Sequence, residues 1–276
     1  AEAVRVYADA KRMLKRLIEG RWLTANGVIA LLPANSVGDD IEIYTDESRS
    51  EVAMTWHGLR QQTEKTAVDG VMRPSRCLAD FVAPKVLTPE LIAARARHTC
   101  ATGQNGSKIA DYIGVFAVTA GLGAEKKDKY FLDDNDDYSS IMFKSLADRL
   151  AEAFAEALHQ RVRRDLWGYA PDEALDKDAL IAEKYQGIRP APGYPACPDH
   201  SVKKEMFELL QCADIGMALT ESLAMTPAAS VSGFYLSHPQ STYFSVGKIG
   251  DDQVQDLAER RGETVAVLSR LLAPNL

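Results

Sequence analysis

The segment Tyr185-Gln-Gly-Ile-Arg-Pro-Ala-Pro-Gly-Tyr-Pro-Ala-Cys-Pro198 places four prolines at alternate or near-alternate positions. Each proline fixes φ and has no backbone N–H, and the residue before a proline is held in extended geometry. Gly193 is the permissive joint between them. The pattern excludes a helix and disfavours a central strand, so it predicts a stiff, bent loop. We call residues 185–198 the proline ribbon.

The proline ribbon also has residues suited to binding. Arg189 opens the proline run, and Tyr194 follows five residues later. A guanidinium fork suits a carboxylate, and a tyrosine offers a ring face and a hydroxyl. With backbone carbonyls nearby, these groups predict a groove for a zwitterionic, amino-acid-like ligand. A plain surface loop or a polyproline recognition segment is the alternative, which composition alone favours.

Length and composition bound the class of protein. The chain has 276 residues, of which 46% are hydrophobic and 26% charged, as in an ordinary globular domain. Its net charge of -7 argues against nucleic acid or an anionic membrane as partner. No apolar run approaches the roughly 20 residues of a membrane span. We expect reduced, unpaired thiols and a cytoplasmic location, because four cysteines are widely spaced: Cys77, Cys100, Cys197 and Cys212.

Periodicity predicts an α+β fold, with helices packed on an antiparallel sheet. Asn26-Gly27 is expected to form a turn. The predicted helices are about 3–19, 88–96, 139–167, 178–185, 201–212, 251–262 and 264–272. The predicted strands are 28–32, 41–43, 52–56, 78–82, 112–119 and a hairpin formed by 231–237 and 241–248.

Motifs for catalysis and metal binding are incomplete. No glycine-rich dinucleotide or P-loop pattern follows a strand. Cys197 and His200 have the C-x-x-H spacing, but no second ligand pair stands nearby in sequence. The acidic run 133–137 resembles the start of an EF-hand, but Tyr138 and Lys144 replace the required glycine and glutamate. The sequence therefore predicts a binding groove, with no catalytic residue and no metal ligand of its own.

The ribbon's Arg-x-x-x-Gly-Tyr pattern resembles the activation domain of cobalamin-dependent methionine synthase. The likeness runs in one order nearly from end to end. It implies that residues 1–276 are one activation domain, the C-terminal module of a larger enzyme, truncated at its N-terminus and with a loop insertion at 85–110. The other similar segments are 33–44, 59–65, 78–84, 111–114, 147–156, 219–222, 231–233 and 272–276.

The resemblance implies a single C-shaped domain with a twisted antiparallel sheet and a ligand on its concave face. It implies binding of S-adenosylmethionine, which supports reductive methylation of cob(II)alamin to methylcobalamin within an enzyme of methionine biosynthesis. The cobalamin, and any zinc, would belong to other domains. The implied partners are the cobalamin-binding domain and a flavodoxin or diflavin reductase. The module is not expected to catalyse a reaction alone.

The resemblance also assigns roles to individual residues. Arg189 is the expected partner of the ligand's methionine carboxylate, and Tyr194 is expected beside the sulfonium or the ribose. A ring face near a sulfonium is attractive by about 0.5–2 kcal/mol. Glu152 and Glu183 match two accessory carboxylates, although an ordinary role as helix-surface acids is equally favoured. The remaining implied contacts are Pro190, Ala191 and Gly193 along the adenosine, with Tyr243 and Phe244 as a second contact.

The sequence departs from the family in one respect. In the family, an aspartate within an upstream Ile-Asp-Trp-Thr-Pro-Phe segment also holds the ligand, and Asp80 is not its equivalent. We therefore expect this chain to bind the ligand more weakly than the full protein. The alternative function is protein docking without ligand binding, through the proline ribbon and the basic residues of 161–164.

Overall fold

The computed structural model describes residues 2–63, 74–86 and 109–276. The predicted helix 88–96 and most of the predicted insertion 85–110 lie outside these residues. The helices are α1 Glu2–Glu19, α2 Ala124–Asp133, α3 Asp137–Arg161, α4 Lys177–Ile181, α5 Lys203–Leu209, α6 Asp251–Arg261 and α7 Val265–Leu271. The strands are β1 Thr24–Val37, β2 Asp40–Tyr44, β3 Val52–His57, β4 Asp111–Leu122, β5 Ala218–Leu219, β6 Met225–Thr226 and β7 Ser230–Tyr235.

A five-stranded sheet has the order β3-β2-β1-β4-β7, and β5 pairs with β6 separately. β1 and β2 are antiparallel, with Ala34 opposite Ile43. β2 and β3 are also antiparallel, with Ile41 opposite Trp56. The predicted α+β class is therefore confirmed, and the predicted strands 41–43 and 52–56 lie in the antiparallel pair β2 and β3.

The described chain forms two compact units. The first unit contains the described residues within 1–30, 116–173 and 203–233, and the second contains those within 31–115, 174–202 and 234–276. The predicted single C-shaped domain stays a prediction. In the first unit, α1, α2 and α3 share a cluster of buried residues: Met13, Leu17, Phe131 and Phe143. In the second, α6 and α7 close another cluster: Leu59, Val246, Ile249, Val254, Leu257, Ala258, Leu268 and Leu272.

The prediction of a turn at Asn26-Gly27 is wrong, because both residues lie within β1. A Cβ atom on Gly27 would lie 3.0 Å from side-chain atoms of Phe154 and Val118. The glycine therefore provides room for the Phe154 ring of α3. Asn26 donates its side-chain N–H to the carbonyl of Ile215 at 3.2 Å, which accounts for the polar residue in this strand.

The strand predicted at 78–82 is also wrong, since Leu78–Phe81 is a 3-10 turn. The Asp80 carboxylate accepts the backbone N–H of Cys77 at 2.9 Å, which closes the turn. Arg60 then donates to both Asp80 and Asp39, at 2.7 and 2.5 Å. These carboxylates raise the pKa of Arg60, with the Asp80 hydrogen bond as the largest cause. A charged cluster, not strand pairing, orders this segment.

The predicted hairpin is wrong in its second half. Residues 231–235 lie in strand β7, but residues 241–248 form no strand. Its backbone groups bond elsewhere. Val246 donates to the carbonyl of Pro195 at 2.8 Å, and the carbonyl of Ser245 accepts from Gln61 at 2.7 Å. This segment therefore packs against the proline ribbon instead of pairing with β7.

The three described cysteines, Cys77, Cys197 and Cys212, are unpaired, as predicted, and the structure shows that they are also buried. Cys100 lies outside the described residues. Burial raises the pKa of Cys77 and of Cys197 to about 12 in each case. Both thiols are therefore protonated near neutral pH and are weak nucleophiles. No helix in the described ranges has the length and hydropathy that crossing a bilayer requires.

The long helix begins at Asp137, two residues before the predicted start, and Asp136 caps it by accepting the N–H of Ser139 at 2.9 Å. At its other end it continues into a π-helical turn, Val162–Leu166. There Arg163, fully buried, donates to both carboxylate oxygens of Glu173 at 2.6 and 2.8 Å. Arg163 is thus unable to belong to an exposed basic patch, whereas Arg161 and Arg164 are exposed.

Replacing Arg163 by alanine is expected to lower the free energy of unfolding by about 3–5 kcal/mol, because the Glu173 carboxylate would stay buried without its counter-charge. Urea denaturation measures this change. The control is Lys129→Ala, which removes an exposed ion pair with Asp133 and should cost less than about 0.5 kcal/mol. A loss for Arg163→Ala as small as that of the control would contradict the account.

Candidate functional site

The proline ribbon is attached at its N-terminal half to the residues at the end of β7. Ile188 and Leu236 exchange two backbone hydrogen bonds, at 2.9 and 3.0 Å. Two residues further on, the carbonyl of Pro190 accepts the N–H of Phe234 at 2.9 Å. Arg189 therefore lies between two backbone attachments, so its Cα position is fixed from both sides.

The second half of the proline ribbon turns at Gly193. This residue has a φ of +90°, which glycine adopts without strain. Its N–H donates to the carbonyl of Cys197 at 2.7 Å, and Cys197 donates back to the carbonyl of Tyr194 at 2.9 Å. The turn directs Tyr194 outward, where 59% of the residue is exposed.

The imidazole of His200 lies directly against Gly193. A Cβ atom on Gly193 would come within 2.0 Å of the His200 ring. Two separate constraints thus require glycine here, the positive φ and the histidine ring. The C-x-x-H spacing indicated His200 as a candidate metal ligand, and no local motif indicates its contact with Gly193.

Arg189 has its backbone and side chain held by two tyrosines. Its backbone N–H donates to the hydroxyl of Tyr243 at 3.0 Å. Its Nη1 donates to the hydroxyl of Tyr185, also at 3.0 Å. Burial of the Tyr243 hydroxyl raises the pKa of Tyr243, and the hydrogen bond from Arg189 opposes that rise. The structure therefore brings Arg189 and Tyr243 together, and their contact with a ligand stays a prediction.

The other predicted contacts are placed differently. Phe244 packs against the hydrophobic cluster closed by α6 and α7, with its ring edge-on to Phe81 at 6.4 Å. Glu183 is exposed in the turn that follows α4. Glu152 is half-buried on α3, in the first unit. Ligand contact by these three residues stays a prediction.

A separate cleft of about 730 Å³ lies within the first unit, and no predicted site residue lines it. It is lined by small and apolar residues, including Gly121, Ala147 and Pro227, and by charged residues such as Lys144 and Asp148. Among the described residues, no group of three or more His, Cys, Asp or Glu side chains is placed to hold a metal ion.

The chemistry available at the proline ribbon is recognition. It combines a guanidinium held in place, an exposed aromatic ring and a rigid backbone. A guanidinium binds a carboxylate through two parallel hydrogen bonds, and an aromatic face attracts a cation. These groups are suited to an amino acid that carries a positive centre.

Comparisons with known proteins show the family to which the chain belongs. Residues 1–262 match the family described as vitamin B12-dependent methionine synthase, activation domain. A solved structure of the MetH reactivation domain bound to AdoHcy is 52% identical to this chain. The match covers 100% of this chain and 77% of that one, with a TM-score of 0.87. The chain therefore belongs to the family of activation domains of vitamin B12-dependent methionine synthase.

Gly193→Ala is expected to destabilise the chain by about 2–4 kcal/mol, since backbone strain at positive φ adds to the clash with His200. The matched control is Gly38→Ala. Gly38 also has positive φ, but a Cβ there meets nothing within 4 Å, so only about 1–2 kcal/mol should be lost. Thermal unfolding of both variants measures the difference.

A second variant separates the two causes. Adding His200→Ala to Gly193→Ala removes the ring and should recover the steric part of the loss. Equal destabilisation by Gly193→Ala and Gly38→Ala, or a purely additive double variant, would show that the imidazole does not constrain Gly193.

Proposed function

We propose that this chain is an S-adenosylmethionine-binding reactivation module, in which Arg189 binds the carboxylate of the ligand. The observation that carries the proposal is the fixed guanidinium. Arg189 is held by the ribbon backbone and by two tyrosine hydroxyls. The AdoHcy-bound MetH reactivation domain, which aligns over the whole chain, supports the same ligand class.

Each part of the ligand has a counterpart on the proline ribbon. The carboxylate pairs with Arg189. The backbone from Pro190 to Gly193 faces the adenosine, whose amino group donates to a carbonyl. The exposed ring of Tyr194 lies beside the sulfonium, where cation–π attraction contributes about 0.5–2 kcal/mol. Tyr243 acts on the site through the backbone of Arg189.

The module's role within the enzyme follows from the proposed ligand. The cobalamin of another domain supplies the methyl-accepting chemistry, as is usual when a cofactor performs the difficult step. This chain presents the methyl donor and orients it. We further propose docking to the cobalamin-binding domain, with an electron supplied by a flavodoxin or diflavin reductase, in a cytoplasmic, methionine-forming methyltransferase.

Protein docking without ligand binding is the second candidate. The observation that favours it is the exposure of Arg161 and Arg164 at the end of α3. The burial of Arg163 weakens this candidate, because Arg163 is paired with Glu173 and is not available to a partner protein. Strongly salt-sensitive capture of a flavodoxin together with no ligand binding would favour docking.

Calorimetric titration tests the leading proposal. S-adenosylhomocysteine and S-adenosylmethionine should bind the 276-residue chain, and Arg189→Ala should weaken binding about 10- to 100-fold, as expected for a lost charge-assisted pair. Arg270→Ala, which removes an exposed arginine of α7, should leave the affinity unchanged. Absence of binding, or equal affinity of Arg189→Ala and wild type, would reject the ligand site in favour of docking.

A further inference from the structure

Tyr185 contacts the guanidinium from the opposite end of the proline ribbon. Its hydroxyl accepts a hydrogen bond from Nη1 of Arg189 at 3.0 Å. Only 8% of Tyr185 is exposed, so the hydroxyl is held by packing and cannot follow a moving arginine. We propose that Tyr185 is a positioning residue, which sets the orientation of the Arg189 guanidinium before the ligand carboxylate arrives. This inference rests on the proposed function.

The local backbone explains how Tyr185 reaches this position. α4 ends at Ile181, and a tight turn follows in which Lys184 donates to the carbonyl of Ala179 at 3.0 Å. Glu183 within this turn has a φ of +52°, an uncommon conformation for a residue other than glycine. The turn reverses the chain and delivers Tyr185 four residues before Arg189.

A second constraint acts between Tyr185 and Arg189. Gly187 has a φ of +87°, and Gln186 donates its side-chain N–H to the carbonyl of Ser237 at 2.8 Å. Ile188 then pairs with Leu236. Each residue of the segment from Tyr185 to Arg189 is thus held by burial, by a hydrogen bond or by a positive-φ conformation. The tyrosine and the arginine are fixed relative to one another.

Orientation matters because a carboxylate binds a guanidinium through two parallel hydrogen bonds in one plane. Arginine has several rotatable bonds, and ordering them on binding costs affinity. A hydroxyl that already holds Nη1 removes part of that cost. The Tyr185 hydroxyl also fixes the plane of the Arg189 guanidinium. The effect of Tyr185 should therefore depend on the ligand's carboxylate and on the presence of Arg189.

The test is Tyr185→Phe, which removes the hydroxyl and keeps the buried ring. S-adenosylhomocysteine should bind about 5- to 20-fold more weakly, in the range of a hydrogen bond to a charged group. 5′-Methylthioadenosine, which has no carboxylate, should be affected less than about twofold. Tyr112→Phe is the matched control, because it removes a hydroxyl bonded to Glu47 at 3.0 Å and should change neither affinity.

A double-variant cycle completes the test. In an Arg189→Ala background, Tyr185→Phe should weaken S-adenosylhomocysteine binding less than about twofold, since the arginine that it positions is gone. Equal weakening of both ligands, an undiminished effect without Arg189, or no effect in the single variant would each overturn the inference.

The failure of this inference is distinguishable from that of the proposed function. If Arg189→Ala weakens binding as expected while Tyr185→Phe binds like wild type, only the positioning role of Tyr185 is rejected. If the wild-type chain binds no S-adenosylhomocysteine, the proposed function and the inference are both rejected.

Discussion

The attachment of the proline ribbon to the residues at and just beyond the end of β7 is the constraint on which the candidate site depends. A segment with four prolines cannot contribute a full ladder of N–H donors. Its few available donors and carbonyls are therefore used at selected points: Ile188 with Leu236, Pro190 with Phe234, and Pro195 with Val246. These three points fix the ribbon's path and place Arg189 between the first two.

Two arginines of this chain have different hydrogen-bond partners and therefore different roles. Tyr185 and Tyr243 hold the side chain and the backbone of Arg189 with uncharged hydroxyls. Arg163, by contrast, is buried against the carboxylate of Glu173. The first arginine donates hydrogen bonds to neutral hydroxyl groups. The second is neutralised by its partner and has a structural role.

Much of this arrangement could be predicted from the sequence. Proline and glycine restrict the backbone locally, so the ribbon and its joint at Gly193 were predictable, and alternating apolar residues indicated β2 and β3. The wrong predictions concern segments whose structure depends on residues distant in sequence. Gly27 was predicted in a turn, but it lies in a strand because the Phe154 ring needs the space that a Cβ atom would fill. Residues 78–82 were predicted as a strand, but the hydrogen bonds of Arg60 to Asp39 and Asp80 order this segment.

Two further features had no local signal. α2 is strongly charged and begins at Gly123 without a side-chain cap, so its sequence shows no starting signal. It is stabilised through Phe131, which is buried with residues of α1 and α3. The contact of Tyr185 with Arg189 likewise depends on a left-handed Glu183, a conformation that glutamate rarely adopts.

A crystal structure of the 276-residue chain with S-adenosylhomocysteine tests the central claim most directly. The account predicts the ligand carboxylate within about 2.7–2.9 Å of the Arg189 guanidinium, the usual charge-assisted distance. Nη1 should still donate to Tyr185, and the adenosine should lie along 190–193. A ligand whose carboxylate pairs with a different cation, or whose nucleoside lies away from the proline ribbon, would contradict it.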